Sequence, residues 1–446
     1  MTEPTDAERY PTLTESGRRL LERLREHPHA PLFRNQSGNR LTREDVETVR
    51  AFEQEIAAAV VPEQREELAS WLREFLQRCY RDVPFYRALG GVPRRLGDVP
   101  CVSRADLGHD VARFVPDSAP LERLINFRTS GTTGHPLLIA SHPLVAASYL
   151  AFHRRALGRF GVTLQASSGE VGVVLLGYQR KCFTYVSVTP TQNEAGLVKL
   201  NLYPEDWRHP DDRRKYLEGL APEVLAGDPI SFAALLELGA SLRPRALLST
   251  SMTLRPALRQ QLETTFGCPV VDLYSLNEAG PVAAFDPALD GHVLLQPRML
   301  VEIVDDAGRA LPPGERGEIT LTGGFNFCLP LVRYRTGDYA ALELRRGEPT
   351  LVGLEGRAPV RFRTQAGEWL NNIEITHLLA PLGLEQYRLH QAPSGALSLS
   401  VVGAAQHEAE LRAKLLELFG AEQVLSITEL DTAAGKVLQY SSELAS

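Results

Sequence analysis

Hydrophobic positions recur at helical spacing through about the first ninety residues, and beyond them the pattern changes to alternating strands and helices. Arg18-Arg-Leu-Leu-Glu-Arg-Leu-Arg-Glu26 predicts one amphipathic helix in an otherwise polar stretch from 1 to about 40. Thr42-Arg-Glu-Asp45 reads as a capping box opening a second helix, with Val46, Val49, Phe52 and Ile56 on one face. A third helix carries Leu68, Trp71, Leu72, Phe75, Leu76 and Cys79, and the proline in Val83-Pro-Phe-Tyr86 ends it. Stripes of this kind are core surfaces in the great majority of helices, and no chemistry is assigned to them.

Further on, the spacing predicts a long helix from Pro143 to Phe160 and a buried strand from Val171 to Leu176. Strands at Leu197 to Leu202, Val224 to Ala226, Ala246 to Thr250 and Val270 to Tyr274 follow, with a helix from Pro256 to Phe266 before the last. That alternation predicts an α/β domain with a largely parallel sheet. Between about Val293 and Val352, short strands are separated by turns such as Asp305-Asp-Ala-Gly308 and Pro312-Pro-Gly314. They predict a small antiparallel or barrel-like part packed on the α/β body. After Gly356-Arg357 the pattern restarts, with helices at Asn372 to Leu379 and Glu408 to Phe419 and strands near Val360, Tyr387, Leu397 to Val402 and Val424 to Ile427. The expected organisation is a large N-terminal domain over 1–355 and a small α+β domain over 356–446.

Composition narrows the class without naming a function. The chain has 446 residues, 43% hydrophobic and 23% charged, so it can bury more than one core and has no disorder signature. A net charge of −7 removes the basic field expected of a nucleic-acid or anionic-membrane partner. Five scattered cysteines without a C-x-x-C argue against a disulfide framework or a zinc site. The polar, acidic start and the lack of any membrane-length apolar run make a cytosolic enzyme the default expectation.

Four stretches carry candidate chemistry. Thr129-Ser-Gly-Thr-Thr-Gly-His-Pro136 precedes the apolar Leu137-Leu-Ile139, and its glycines and hydroxyls could expose successive donors to a polyphosphate. By itself the loop is more readily an ordinary polar turn. Asp272-Leu-Tyr-Ser-Leu-Asn-Glu-Ala-Gly280 places Asn277 and Glu278 just after a strand, where α/β sheets bind ligands and a carboxylate could hold Mg²⁺. Arg333-Tyr-Arg-Thr-Gly-Asp338 presents an aspartate on a tight glycine turn, suited to accepting two ribose hydroxyls. Gly435-Lys436 offers a mobile point charge on a glycine-containing loop. Singly, Glu278, Asp338 and Lys436 each read at least as well as ordinary surface or turn residues. A P-loop is excluded, because the first loop lacks the G-K-[ST] ending.

Taken together, in this order and spacing, these pieces resemble the adenylate-forming (ANL) superfamily, and within it the phenylacetate–CoA ligase-like branch. Tyr274-Ser-Leu-Asn-Glu278, Gly356-Arg357 at an inter-domain hinge and Val83-Pro-Phe-Tyr-Arg87 add to the resemblance, which covers roughly residues 70 to 446. It implies ATP-dependent activation of a small, aryl carboxylic acid to an acyl-adenylate with release of pyrophosphate. Transfer to a CoA or carrier-protein thiol would follow, by way of a rotating C-terminal domain. The implied nucleotide-binding residues are Thr129, Ser130, Gly131, Thr132, Thr133, Gly134, His135, Tyr274, Ser275, Asn277 and Asp338. Glu278 and Thr133 would hold Mg²⁺, and Lys436, Glu278 and Arg357 would serve catalysis. The acid pocket is expected between the helix after Pro143, Tyr178 to Tyr185, Ala226-Gly-Asp-Pro229 and the Leu276–Pro281 turn. No nucleic-acid or membrane partner is implied, and a homodimer is left open.

The chain also departs from the family pattern. His135 stands where a lysine is usual, Asn277 where a small hydroxyl residue is usual, and Ser249-Thr-Ser-Met252 replaces the segment that flanks adenine. Ala358-Pro359-Val360 lacks the acidic residue usual after the hinge, and proline restricts rotation there. The open alternatives are an amine, hydroxyl or small inorganic acceptor, or a homologue that binds nucleotide without turnover.

Overall fold

Helix boundaries follow local chemistry closely in the computed structural model. It describes all residues except 1–4, 65–68, 129–136, 181, 356–359, 380, 381, 383, 385, 386, 403, 431–439, 445 and 446. Thr42 caps the Arg43–Ala58 helix, accepting from the Asp45 N–H, while the Asp45 side chain accepts from the Thr42 N–H. The Pro256–Phe266 helix starts on a proline at its first turn and stops at Gly267, which takes φ +66°. The third helix spans Ser70–Asp82 and ends before Pro84, which begins a short further turn, Pro84–Ala88. No described helix is long and apolar enough to cross a membrane.

The chain divides into two compact units. The first comprises Met1–Phe127, Ile139–Gly177 and Phe183–Arg357, and the second Arg128–Leu138, Tyr178–Cys182 and Ala358–Ser446. The first is built on one twelve-stranded sheet. From one edge the strands run Met299–Val304, Arg316–Gly323, Leu331–Arg345, Glu348–Glu355, Gly291–Leu294, Gly280–Asp286, Val270–Leu276, Ala246–Ser249, Val224–Gly227, Val171–Gly177, Ala195–Asn201 and Tyr185–Thr189. Five of these, from Val270–Leu276 to Ala195–Asn201, pair in parallel. The short strands beyond Val293 pair antiparallel and continue the same sheet, so the small barrel-like part is one end of it. Alternation and turn residues report strand type, but they do not say which strand lies next to which.

The Pro143–Gly158 helix packs across the middle of this sheet. Its Ala151, Phe152, Ala156 and Leu157 bury against Val224, Ala246, Leu248, Val271 and Leu273. Each large side chain buried there contributes roughly 1.5–3 kcal/mol. The first forty residues have a packing role that their polarity hid. The Glu15–Glu26 helix buries Leu20, Leu21 and Leu24 and packs against the edge strand Tyr185–Thr189. Tyr10 donates to Val186 O at 3.2 Å, Thr14 N–H to Glu194 at 2.8 Å, and Arg34 to Asp206 at 2.9 Å. Covering an edge strand in part is one way in which proteins blunt such an edge.

In the second unit a four-stranded sheet has the order Leu425–Glu429, Leu397–Val401, Tyr387–Gln391, Tyr440–Ser442. The Asn372–Leu379 and Ala404–Phe419 helices bury Ile375, Leu379, Leu411, Leu415 and Phe419 in one core with Leu389 and Leu399.

Candidate active site

The last parallel strand, Val270–Leu276, turns straight back into Gly280–Asp286 through Asn277, Glu278 and Ala279. The strand was expected to end at Tyr274. It runs on to Leu276 because Leu276 pairs antiparallel with Gly280, so Glu278 sits in a hairpin turn. Gly280 takes φ +72°, and a Cβ there would lie 2.6 Å from the Phe325 ring. Gln296 Nε2 donates to Ala279 O at 2.7 Å and Pro281 O at 2.9 Å, closing the turn from inside. Tyr149, on the Pro143–Gly158 helix, donates to Asn277 O at 3.0 Å. These ties hold Glu278 with 4% of its surface exposed. One helical turn after Tyr149 stands His153, its ring centroid 6.5 Å away. Burial lowers the His153 pKa to about 4, so the imidazole is neutral at pH 7.

Asp338 sits on a second turn, inside the Leu331–Arg345 strand. Glu318 pairs with Tyr339 but Thr320 pairs with Arg335, so Thr336, Gly337 and Asp338 bulge out of the ladder. Gly337 takes φ +78° and donates its N–H to Glu318 at 2.9 Å. The Thr336 hydroxyl donates to Ile319 O at 3.0 Å and accepts the Asp338 N–H at 3.1 Å.

The two turns are braced reciprocally. Tyr274, from the strand that leads to Glu278, donates its hydroxyl to Asp338 Oδ2 at 3.0 Å. Tyr334, from the strand that leads to Asp338, donates to Glu278 Oε1 at 2.6 Å. Burial first, and then the charge of the partnered carboxylate, raises both phenols well above their usual pKa, so both stay protonated donors. Arg104 approaches Glu278 as well, with Nη1 3.9 Å from Oε1. No hydrogen bond from a described residue reaches Oε2.

The structure therefore brings together Tyr274, Glu278 and Asp338 of the expected residues. Ser275 lies half-buried on the hairpin opposite Pro281, and the Asn277 side chain is exposed at the tip. Thr129, Ser130, Gly131, Thr132, Thr133, Gly134, His135, Arg357 and Lys436 lie outside the described residues. Sequence reasoning gave no role to Tyr334, Arg104, Tyr149 or Gln296. One signal was present: both motifs read tyrosine, three residues, then an acid, as Tyr274…Glu278 and Tyr334…Asp338. Nothing near Arg104 in sequence marks it.

Among the described residues, no cluster of three or more His, Cys, Asp or Glu could hold a metal by itself. Glu278, whose Oε2 receives no hydrogen bond from a described residue, has the chemistry of a Mg²⁺ ligand, an ion that takes one or two carboxylates together with phosphate oxygens and waters.

Comparison with known proteins bears on this geometry. Residues 123–327 match the AMP-binding enzyme family. The phenylacetate–coenzyme A ligase of Escherichia coli is 26% identical over 61% of this chain and 65% of its own length. The enzymes of that name from Pseudomonas putida (24%, over 85% of this chain and 89% of the other) and Thermus thermophilus (27%, over 80% and 84%) match more of their length. The chain thus spans just under two thirds of the Escherichia coli relative. Among solved structures, 2-hydroxyisobutyryl-CoA ligase in complex with 2-HIB-AMP and CoA in the thioesterification state superposes with a TM-score of 0.56. It has 18% identity, over 89% of this chain and 90% of the other. An open conformation of that ligase gives a TM-score of 0.51 at 18% identity, over 83% and 89%. Likeness at this identity shows a shared fold.

Proposed function

We propose that this chain, which matches the AMP-binding enzyme family over residues 123–327, is an AMP-forming acid ligase of the adenylate-forming superfamily, in its phenylacetate–CoA ligase-like branch. ATP and a small carboxylic acid, aryl in our reading, would give an acyl-adenylate and pyrophosphate, and the acyl group would pass to the thiol of CoA or of a carrier protein. The reading rests above all on Glu278 and Asp338, drawn from separate motifs and held side by side by Tyr334 and Tyr274.

In this scheme Asp338 receives the ribose hydroxyls, and Tyr274, Ser275 and Asn277 line the nucleotide beside it. Glu278 would hold Mg²⁺, with Thr133 as a further ligand, and such an ion would supply charge neutralisation at the phosphate oxygens. Thr129 to His135 would cradle the β- and γ-phosphates. Lys436 would neutralise charge at the α-phosphate and the attacking carboxylate, and Arg357 would serve catalysis from the hinge that the family resemblance implies. The acid lies against the Pro143–Gly158 helix, where Tyr149, neutral His153 and Phe325 give a mostly apolar wall of the usual pocket composition. Catalysis is then chiefly positioning and charge stabilisation.

The test is acid-dependent pyrophosphate release over a panel of aromatic, aliphatic and amino acids, with and without CoA. Release with at least one acid, and a thioester when CoA is added, is expected. No release with any acid refutes the ligase reading. Release with no thioester moves the acceptor to an amine, a hydroxyl or a small inorganic nucleophile, an alternative favoured by Pro359 at the hinge.

A further inference from the structure

Glu278 is reached by two side chains from outside its own hairpin, and both address the same oxygen. Tyr334 donates to Oε1 at 2.6 Å, and Arg104 stands 3.9 Å from that atom. The backbone that delivers them is one assembly. Val102 N–H donates to Arg333 O at 3.0 Å and Arg335 N–H donates to Val102 O at 2.8 Å, so residue 102 runs as a short parallel bridge alongside Tyr334. Ser103 then caps the Arg104–His109 helix, accepting from the Asp106 N–H while the Asp106 carboxylate accepts from Ser103, and this fixes Arg104 in the first turn.

Arg333 anchors the assembly. Its guanidinium donates to Gly97 O at 3.2 Å, Val99 O at 3.0 Å and Gly308 O at 2.5 Å, and its Nε to Glu302 at 3.4 Å. It does so from φ +46°, a conformation that L-residues avoid unless their surroundings over-determine it. The backbone at 333 is therefore committed to a geometry that puts its neighbour Tyr334 on Glu278 and brings Val102, and so Arg104, alongside.

We propose that Tyr334 and Arg104 are positioning residues for Glu278: together they fix Oε1, so that Oε2 alone is turned toward the metal that accompanies the nucleotide. The proposal rests on the ATP-ligase reading above and deepens it. A carboxylate free to rotate would present either oxygen, or both, and would lose orientation each time the ion left. One whose Oε1 is held by a phenol hydroxyl, with a guanidinium charge beside it, keeps a single ligating atom aimed. The role is that of the outer hydrogen-bond partners that orient metal-binding carboxylates, whose loss costs 10–100-fold in metal affinity. Arg104 adds a second effect. Its positive charge offsets the buried carboxylate when no ion is present, and its side chain keeps 20% of its surface exposed.

The experiment is calorimetric titration of ATP into the 446-residue chain, with and without Mg²⁺, for wild type, Tyr334→Phe, Arg104→Met and Arg104→Lys. Tyr334→Phe keeps the ring in its buried site and removes only the hydroxyl, and methionine approximates the length of the largely buried Arg104 side chain without its charge. Wild type should bind ATP more tightly with Mg²⁺. Tyr334→Phe and Arg104→Met should raise the Mg²⁺ concentration giving half of that gain by about tenfold or more. Metal-free ATP affinity should stay within about twofold, and Arg104→Lys should recover most of the Mg²⁺ response. Equal loss of metal-free and Mg²⁺-dependent binding, or an unchanged Mg²⁺ response in both variants, overturns the positioning role. Absence of any Mg²⁺-dependent ATP binding in wild type would instead refute the reading on which it rests, so the two failures are told apart.

Discussion

Two turns carry the two carboxylates, and they are built on opposite principles. The Glu278 turn is tight and enclosed: a hairpin plugged by Gln296, overlain by Tyr149, with Phe325 in van der Waals contact. The Asp338 turn bulges outward from a ladder, held by its own Thr336 hydroxyl and by Glu318, with the carboxylate partly open to solvent. Enclosure would suit the metal-holding role proposed for Glu278, because rotation there would spoil the ligand geometry. Openness would suit the role proposed for Asp338, which has to admit a bulky, neutral ribose. The tyrosines join the two designs, each turn supplying the phenol that steadies the other.

The largest effect expected from this contrast is on the first half-reaction. Glu278→Gln keeps the shape and removes the charge, and should lower the rate of acid-dependent ATP–pyrophosphate exchange about 10³-fold with a small change in the KM for ATP. Asp338→Asn should act mainly on binding, raising the KM for ATP roughly 10–100-fold by loss of charge-assisted hydrogen bonds. A KM effect at Glu278 and a kcat effect at Asp338 would reverse the assignment.

The next effect concerns packing, and two glycines isolate it. Gly280 and Gly337 have similar left-handed φ angles, +72° and +78°, yet a Cβ at Gly280 would meet Phe325 carbons at 2.6 Å and one at Gly337 would meet nothing within 4 Å. Gly337→Ala should therefore cost only the conformational penalty of about 1 kcal/mol. Gly280→Ala adds an overpacking term and should cost about 3 kcal/mol. Urea unfolding of both variants checks this, and equal losses would mean that the Glu278 turn is not the enclosed one.

Much of this was readable from local chemistry. The Thr42–Asp45 box, the Pro256–Phe266 helix and the parallel strands follow from capping, proline and apolar runs, which act within a few residues. The turns that carry Glu278 and Asp338 were readable because each has a glycine visible in sequence, Gly280 and Gly337, while the roles proposed for the two carboxylates came from the family resemblance. Arg104 was not, since it reaches Glu278 only through the pairing of Val102 with Tyr334, a contact between distant segments that no period encodes. Nor was the continuity of the twelve-stranded sheet, where the Glu348–Glu355 and Gly291–Leu294 strands join the two halves out of sequence order.

The smallest effect tests the reciprocity itself. Removing the hydroxyl in Tyr334→Phe leaves Glu278, 4% exposed, without its donor in a place that water does not easily reach. An unsatisfied buried charged acceptor costs in the range of 1–3 kcal/mol or more, so a loss of about 2 kcal/mol in urea unfolding is expected. Tyr274→Phe deprives Asp338 in the same way, but that carboxylate is partly exposed and keeps the support of Thr336 at its own N–H. Water can take the place of the lost phenol, and the loss should be about 1 kcal/mol or less. The double variant should lose roughly the sum if the two bonds act independently, and measurably less if each tyrosine already depends on the other turn being in place. A double-mutant cycle with no coupling would leave two separate braces. Coupling of about 0.5 kcal/mol or more would make the two motifs a single mechanical unit, in which ordering one carboxylate orders the other.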